Sequence, residues 1–123
     1  MEKKKGRYLS YFFRSPYLGP RTVYKHFFSS QKEAQDICDN LTKSLGIRKK
    51  VKVVLNKAHH PLYFGELLKN YIILYKGGDT VGILIHELTH VKTDSHLHNS
   101  KFKRVQEEIY STYKEVNEKN RRN

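Results

Sequence analysis

The stretch that decides the fold is Gly77-Gly78-Asp79-Thr80-Val81-Gly82-Ile83-Leu84-Ile85-His86-Glu87-Leu88-Thr89-His90-Val91. A Gly-Gly turn precedes a capping Asp79 or Thr80. Val81, Leu84, Ile85, Leu88 and Val91 then recur at the spacing of one apolar helix side. On that helix His86 and His90 stand four residues apart and share a face, so both imidazoles can address one ion at about 2.0–2.1 Å. Glu87, one position after the first histidine, is placed to reach a reactive water rather than the ion. His-Glu-x-x-His on a helix is the pattern of a hydrolytic zinc site, and imidazoles are otherwise poor helix formers.

A hydrolytic zinc site needs three protein ligands and an open fourth position. The candidates for the third follow at once, in Asp94-Ser95-His96-Leu97-His98-Asn99-Ser100-Lys101-Phe102. His98 comes first. It lies four residues before the apolar Phe102, which would anchor the next helix and fix the imidazole. His96 comes second: it stands six residues past His90, but the pattern with that offset has a Gly where Thr93 stands here. A helix-borne carboxylate, Glu107 or Glu108, comes third. His59 and His60 are adjacent and would point to opposite sides of a strand, so they read as loop or supporting residues. His26, among aromatics, reads as a packed surface histidine.

Working outward, Ser30-x-x-Glu33 is a capping box. Behind it Ala34, Ile37, Cys38, Leu41 and Leu45 keep helical spacing up to Gly46, a fitting C′ glycine. Cys38 lies on the apolar stripe and is expected to be a buried structural thiol. Residues 51–55 and 71–75 are rich in β-branched and aromatic residues and read as strands. A final helix is expected from Asn99 or Ser100, with Phe102, Val105, Ile109, Tyr113 and Val116 facing inward. Residues 118–123 read as a polar tail.

His86-Glu87-Leu88-Thr89-His90-Val91, followed by His98-Asn99-Ser100-Lys101-Phe102, resembles the small SprT-like and WLM-type zinc metallopeptidases. In these an HExxH helix is followed by a third His in an H-[GS]-x-x-F element opening the next helix. Gly65-Glu66 and then residues 70–74 also look like the strand preceding the active-site helix in such minimal zincins. The resemblance implies an α+β minimal zincin with a small mixed sheet, an HExxH active-site helix and a C-terminal helix. It implies zinc held by His86, His90 and His98, with Glu87 as the catalytic base and a protein or peptide as substrate. An extended peptide could then pair with residues 71–75, read as an edge strand. A related possibility resembles the ImmA/IrrE group of repressor-cleaving proteases, whose third ligand is usually acidic. A third reading is a basic nucleic-acid-binding module whose zinc site is structural or vestigial, which a closed four-ligand site using both His96 and His98 would support.

The chain has 123 residues with 24 Lys plus Arg against 12 Asp plus Glu, which fits one domain over 1–123 and a strong positive field. Residues 1–28 hold eight of the 15 aromatics and seven Lys/Arg against one Glu. Two extended segments, 7–14 and 21–28, are expected there, flanking Ser15-Pro16-Tyr17-Leu18-Gly19-Pro20. Basic side chains among aromatics suit DNA, the expected partner of this segment. Equally, the aromatics could complete a small core under a solvated basic face. SprT-like relatives include proteases acting on DNA-attached proteins, so the resemblance points toward DNA. One cysteine rules out an intramolecular disulfide and a Cys-based zinc knuckle. With no apolar run long enough for a bilayer and no signal-peptide pattern, no membrane association is expected. An intracellular protein is, cytoplasmic or, in a eukaryote, nuclear.

Overall fold

The computed structural model describes residues 26–122. Most of the basic N-terminal segment, with the extended segment expected over 7–14, lies outside the described residues. The chain runs α1 (Gln31–Leu45), β1 (Lys52–Leu55), β2 (Gly65–Leu68), β3 (Tyr71–Leu74), α2 (Val81–Thr93) and α3 (Ser100–Arg122). The class is α+β, as expected, with three helices and a small mixed sheet among the described residues. None of these helices is long and apolar enough to cross a membrane.

Local chemistry sets the ends of α1. The Ser30 hydroxyl accepts from the Glu33 N–H at 3.1 Å. Glu33 reaches back past the cap, its carboxylate accepting from the Ser29 N–H at 2.7 Å. At the other end Gly46 turns left-handed with φ 70°, and the Ile47 N–H donates to the Thr42 carbonyl at 2.9 Å. Ala34, Cys38 and Leu41 form the buried stripe between these caps. Burial pushes the Cys38 thiol up to about 12, which keeps it protonated and inert.

The sheet order is β1-β3-β2, with β1 parallel and β2 antiparallel to β3. Tyr71–Leu74 is therefore the central strand, not an edge, and has no free side for a peptide. The reason is that Gly65–Leu68 forms a strand of its own and closes a hairpin on β3 through Lys69-Asn70. Lys69 there adopts φ 54°. At the far side of the sheet α1 closes the β1 edge with two side-chain amides one turn apart. Gln35 accepts from the Val53 N–H at 2.9 Å and donates to the Val51 carbonyl at 3.0 Å. Gln31 accepts from the Leu55 N–H at 2.9 Å and donates to the Val53 carbonyl. The two glutamines occupy the hydrogen-bonding groups that another strand would use.

Helix α2 lies between the sheet and α3. Its Thr80 cap accepts from the Ile83 N–H at 3.2 Å. Residues 26–28 pair across its start, with Val81 N–H donating to the His26 carbonyl at 3.0 Å. The expected amphipathic helix is in fact buried on every side through residues 81–91. A single apolar stripe was legible, whereas packing by two layers covers the rest of the circumference. Gly78 makes the preceding turn possible, because a Cβ there would stand 2.2 Å from the Phe64 carbonyl oxygen. Helix α3 buries Phe102, Ile109 and Tyr113 and continues to Arg122. The expected polar tail from residue 118 is thus helical through residue 122.

Replacing Gln31 and Gln35 by Ala leaves partly buried strand groups unpaired and is expected to cost about 1–3 kcal/mol per glutamine. Urea unfolding should show a lower midpoint with an unchanged slope. An unchanged midpoint in the double variant would show that water serves the edge equally well.

Candidate metal centre

The helix bearing His86 and His90 continues through Thr93, where the six-residue offset would have wanted a glycine. The chain reverses one residue later, at Asp94, with φ 52° and ψ 41°. Asp tolerates this left-handed region better than most residues. Its N–H donates to the His90 carbonyl, and the link over 94–99 then returns to the start of α3. There Asn99 caps the helix, its side-chain oxygen accepting from the Phe102 N–H at 3.0 Å. The cap fixes the direction in which His98, one residue earlier, enters the interior.

One nitrogen from each of His86, His90 and His98 lies within 4.8 Å of the other two. His98 Nε2 stands 3.2 Å from His86 Nε2. Two nitrogens bound at 2.0–2.1 Å to one tetrahedral ion would be about 3.3 Å apart, so this spacing fits a shared metal ion. His90 Nδ1 is 2.8 Å from the Ser95 carbonyl oxygen. A carbonyl only accepts, so Nδ1 carries the proton and Nε2 keeps the lone pair a metal requires. Phe102, 1% exposed, forms the floor of the cluster, with ring centroids 5.0, 4.8 and 4.8 Å from His86, His90 and His98.

The electrostatics keep the imidazoles neutral. Burial, reinforced by His90 and His98, holds His86 well below its ordinary value. Burial also lowers His90, against a smaller opposing effect of its bond to Ser95. His98 falls to about 4, through burial and the nearby His90 and His96. Neutral imidazole is the form that binds a metal. Glu87 moves the other way, to about 8, through burial first and the charge of Glu66 second. Its Oε2 is buried without a hydrogen-bond partner. Glu66, on β2, accepts from the Tyr75 hydroxyl.

The other candidates are placed elsewhere. His96 is exposed, its ring centroid 6.1 Å from His90, outside the three-nitrogen set. Glu107 and Glu108 lie on the exposed side of α3, and Glu108 is 3.7 Å from Lys92 Nζ. His60 Nδ1 accepts from the Leu62 and Tyr63 N–H groups at 3.0 and 3.1 Å, so it shapes its own loop. Ser95, Phe102 and Glu66 were not singled out as site residues in the sequence. A backbone carbonyl leaves no sequence signal, and Phe102 reads only as a helix anchor. A cavity of about 410 Å³ opens beside the centre, lined by Leu67, Leu68 and Asn70 on one side and His90, Ser95 and His96 on the other. The chain matches no family model, no curated protein and no solved structure, so the functional reading rests on these residues themselves.

The same shifts give the metal-free protein a stability optimum. The three histidines have lowered folded values, so the unfolded chain takes up their protons first. Stability then falls as pH drops from about 6.5 toward about 4. Glu87 has a raised folded value, so the unfolded chain releases that proton first. Its contribution is lost as pH rises from 4.5 to about 8. Three imidazoles outweigh one carboxyl below 6.5, and Glu87 acts alone above it. Thermal unfolding of chelator-treated protein should therefore peak near pH 6.5, and Glu87→Gln should flatten the alkaline side and steepen the acid side above about pH 4.5. A wild-type profile with no alkaline decline would refute the buried-carboxyl argument.

Proposed function

We propose that this chain is a zinc-dependent metallopeptidase of the minimal-zincin kind, similar to the SprT-like enzymes, hydrolysing peptide bonds of an intracellular protein substrate. The observation that carries the reading is the convergence of three neutral imidazoles, next in sequence to a buried carboxylate whose Oε2 has no partner. An all-nitrogen set with tetrahedral spacing suits zinc. When bound, zinc supplies a Lewis acid that lowers the pKa of a water toward about 7 and polarises the scissile carbonyl.

Glu87 does the proton work. Its carboxylate takes a proton from the attacking water as the C–O bond forms and delivers it to the leaving nitrogen as the C–N bond breaks. A cation held by the imidazoles favours the ionised carboxylate, offsetting the effects of burial and Glu66. Ser95 keeps the His90 ring in the ligating tautomer, and Phe102 keeps water away from the far side of the cluster. Substrate would align on β2 in place of the central strand. Phe64 pairs with Tyr75, so the backbone groups of Gly65 and Leu67 point away from β3, and among the described residues no strand covers them. An extended peptide added there would run beside the 410 Å³ cavity. Neither alternative is favoured: the glutamates needed for an ImmA/IrrE-like ligand set face outward, and His96 does not close a fourth position.

Purified protein reloaded after chelation should bind about one zinc, and the His86→Ala/His90→Ala double variant should bind none. Glu87→Gln should retain the metal while cleavage of an unfolded protein falls by on the order of 10²–10⁴-fold. Full zinc in the double variant would remove the centre, and undiminished cleavage by Glu87→Gln would remove the base.

A further inference from the structure

The cavity of about 410 Å³ beside the metal centre carries charges that the proton chemistry of Glu87 does not use. Lys49 comes to it from the segment before β1, and Lys69 from the turn between β2 and β3. The parallel pairing of β1 with β3 brings both to one end of the sheet, with Lys52 opposite Tyr71. Among the described residues the lining holds a single carboxylate, Asp94, on the other side, where the chain leaves α2. Its Oδ1 lies 3.8 Å from Lys49 Nζ, and both side chains are exposed, so the pair is weak and open to exchange. Lys69 is exposed and has no carboxylate within ion-pair reach among the described residues. Asn70, whose carbonyl is taken by the Lys52 N–H, adds a side-chain amide to the lining. Leu67 and Leu68 supply apolar wall.

We propose that this cavity is a subsite for a carboxylate of the substrate, borne by an Asp or Glu side chain or by the end of a peptide chain. The proposal rests on the metallopeptidase reading, which supplies the peptide. Asp94 is the chain's own example of the chemistry, since its carboxylate already stands within ion-pair distance of Lys49. A carboxylate entering from a peptide would meet Lys49 and Lys69 together. Two cations against one carboxylate leave the lining positive, so an anionic residue is drawn in and a cationic one repelled. The volume falls in the range of small-ligand sites and is ample for one side chain. The mixed lining suits a glutamate, with its methylenes against Leu67 and Leu68 and its head at the lysines and the Asn70 amide. Position agrees with this use. The cavity lies between the β2 edge and His90, so an extended peptide paired with β2 would present alternate side chains to it. One subsite would then read charge while the neighbouring metal centre acts on the backbone.

The test measures binding of short, labelled, end-blocked peptides of Ala and Thr, with Glu, Gln or Lys placed at each position in turn, to the full chain at low salt. Chelator-treated protein is used first, where no metal ion attracts the carboxylate, and zinc-loaded Glu87→Gln second. The best Glu peptide should bind about 10-fold tighter than its Gln counterpart, the effect of one charge-assisted hydrogen bond, and the Lys peptide should bind most weakly. Lys49→Gln/Lys69→Gln should remove the preference. Lys101→Gln/Lys114→Gln, an equal loss of charge on the exposed side of α3, should keep it. Asp94→Asn should enlarge it about twofold, because a competing carboxylate is gone and Asn tolerates the same left-handed backbone. Lys69→Gln alone carries the test if circular dichroism shows the double variant unfolded. A Gln peptide with a free C-terminal acid tells the two sources apart: a gain there supports binding of chain ends, and a gain confined to Glu peptides supports side chains. Equal binding of Glu and Gln peptides with no gain from the free acid, no binding of any peptide, an unchanged preference in Lys49→Gln/Lys69→Gln, or its equal loss in the α3 control would each overturn the proposal. Failure of the peptidase reading looks different: zinc binding or cleavage is missing while the chelator-treated protein still prefers the carboxylate.

Discussion

Burial of α2 forces ionisable groups into the interior, and the remaining structure accommodates that demand. His86 is 0% and Glu87 1% exposed, at a depth where a charge in water's absence is costly. Thr89 finds a partner inside the helix, donating to the Ile85 carbonyl at 2.7 Å. The imidazoles and the carboxyl instead change protonation, toward neutrality. Three imidazoles this close cannot all be protonated without repulsion in a poorly hydrated space. A cation shared among them would convert that liability into binding energy, and so into folding energy, because the unfolded chain has no such site. At a thousand times the dissociation constant the gain is about 4.1 kcal/mol, a large part of a small domain's stability.

The third imidazole depends on how the chain leaves α2 and enters α3. Asp94 reverses the path, Ser95 turns its carbonyl onto His90, and Asn99 starts the next helix. Between these fixed points His96 stays on the exposed link, while His98 falls against Phe102 with ring centroids 4.8 Å apart. Phe102 thus joins two duties: it anchors α3 on α2, and it shapes the bottom of the histidine cluster. A change there would disturb packing and ligand geometry together, so the core and the site cannot be varied independently.

The legible parts of the molecule are those governed by local rules. Ser30, Gly46 and Thr80 act at helix ends through groups within a few residues, so their roles follow from spacing alone. His86, Glu87 and His90 are readable for the same reason, since one helix fixes their relative placement. The β2–β3 hairpin was hidden because Lys69-Asn70 carries no Asn-Gly signature and each strand has only four residues. With β2 unseen, β3 looked like an edge. Gln31 and Gln35 resemble an ordinary solvated face of α1, and only the position of β1 gives them partners. The burial of α2 on all sides likewise needs α3 and the sheet together, which no periodicity within α2 encodes.

The parallel pairing of β1 with β3 has a spatial effect on the surroundings of the cavity beside His90. It sets Lys52 opposite Tyr71, and the Lys52 N–H donates to the Asn70 carbonyl at 2.9 Å. The start of β1, with the basic segment just before it, therefore lies at the same end of the sheet as the β2–β3 turn. Antiparallel pairing would have sent that segment to the opposite end. The hairpin turn in turn borders the cavity beside His90, which is why Lys49 reaches its lining. The sheet's two edges are treated oppositely. The β1 edge is sealed by glutamine amides, whereas the β2 edge, against α2, keeps outward-pointing backbone groups. An extended chain has backbone to pair with at the β2 edge and none at the β1 edge, so the sheet can be extended only on the side that borders the cavity beside His90.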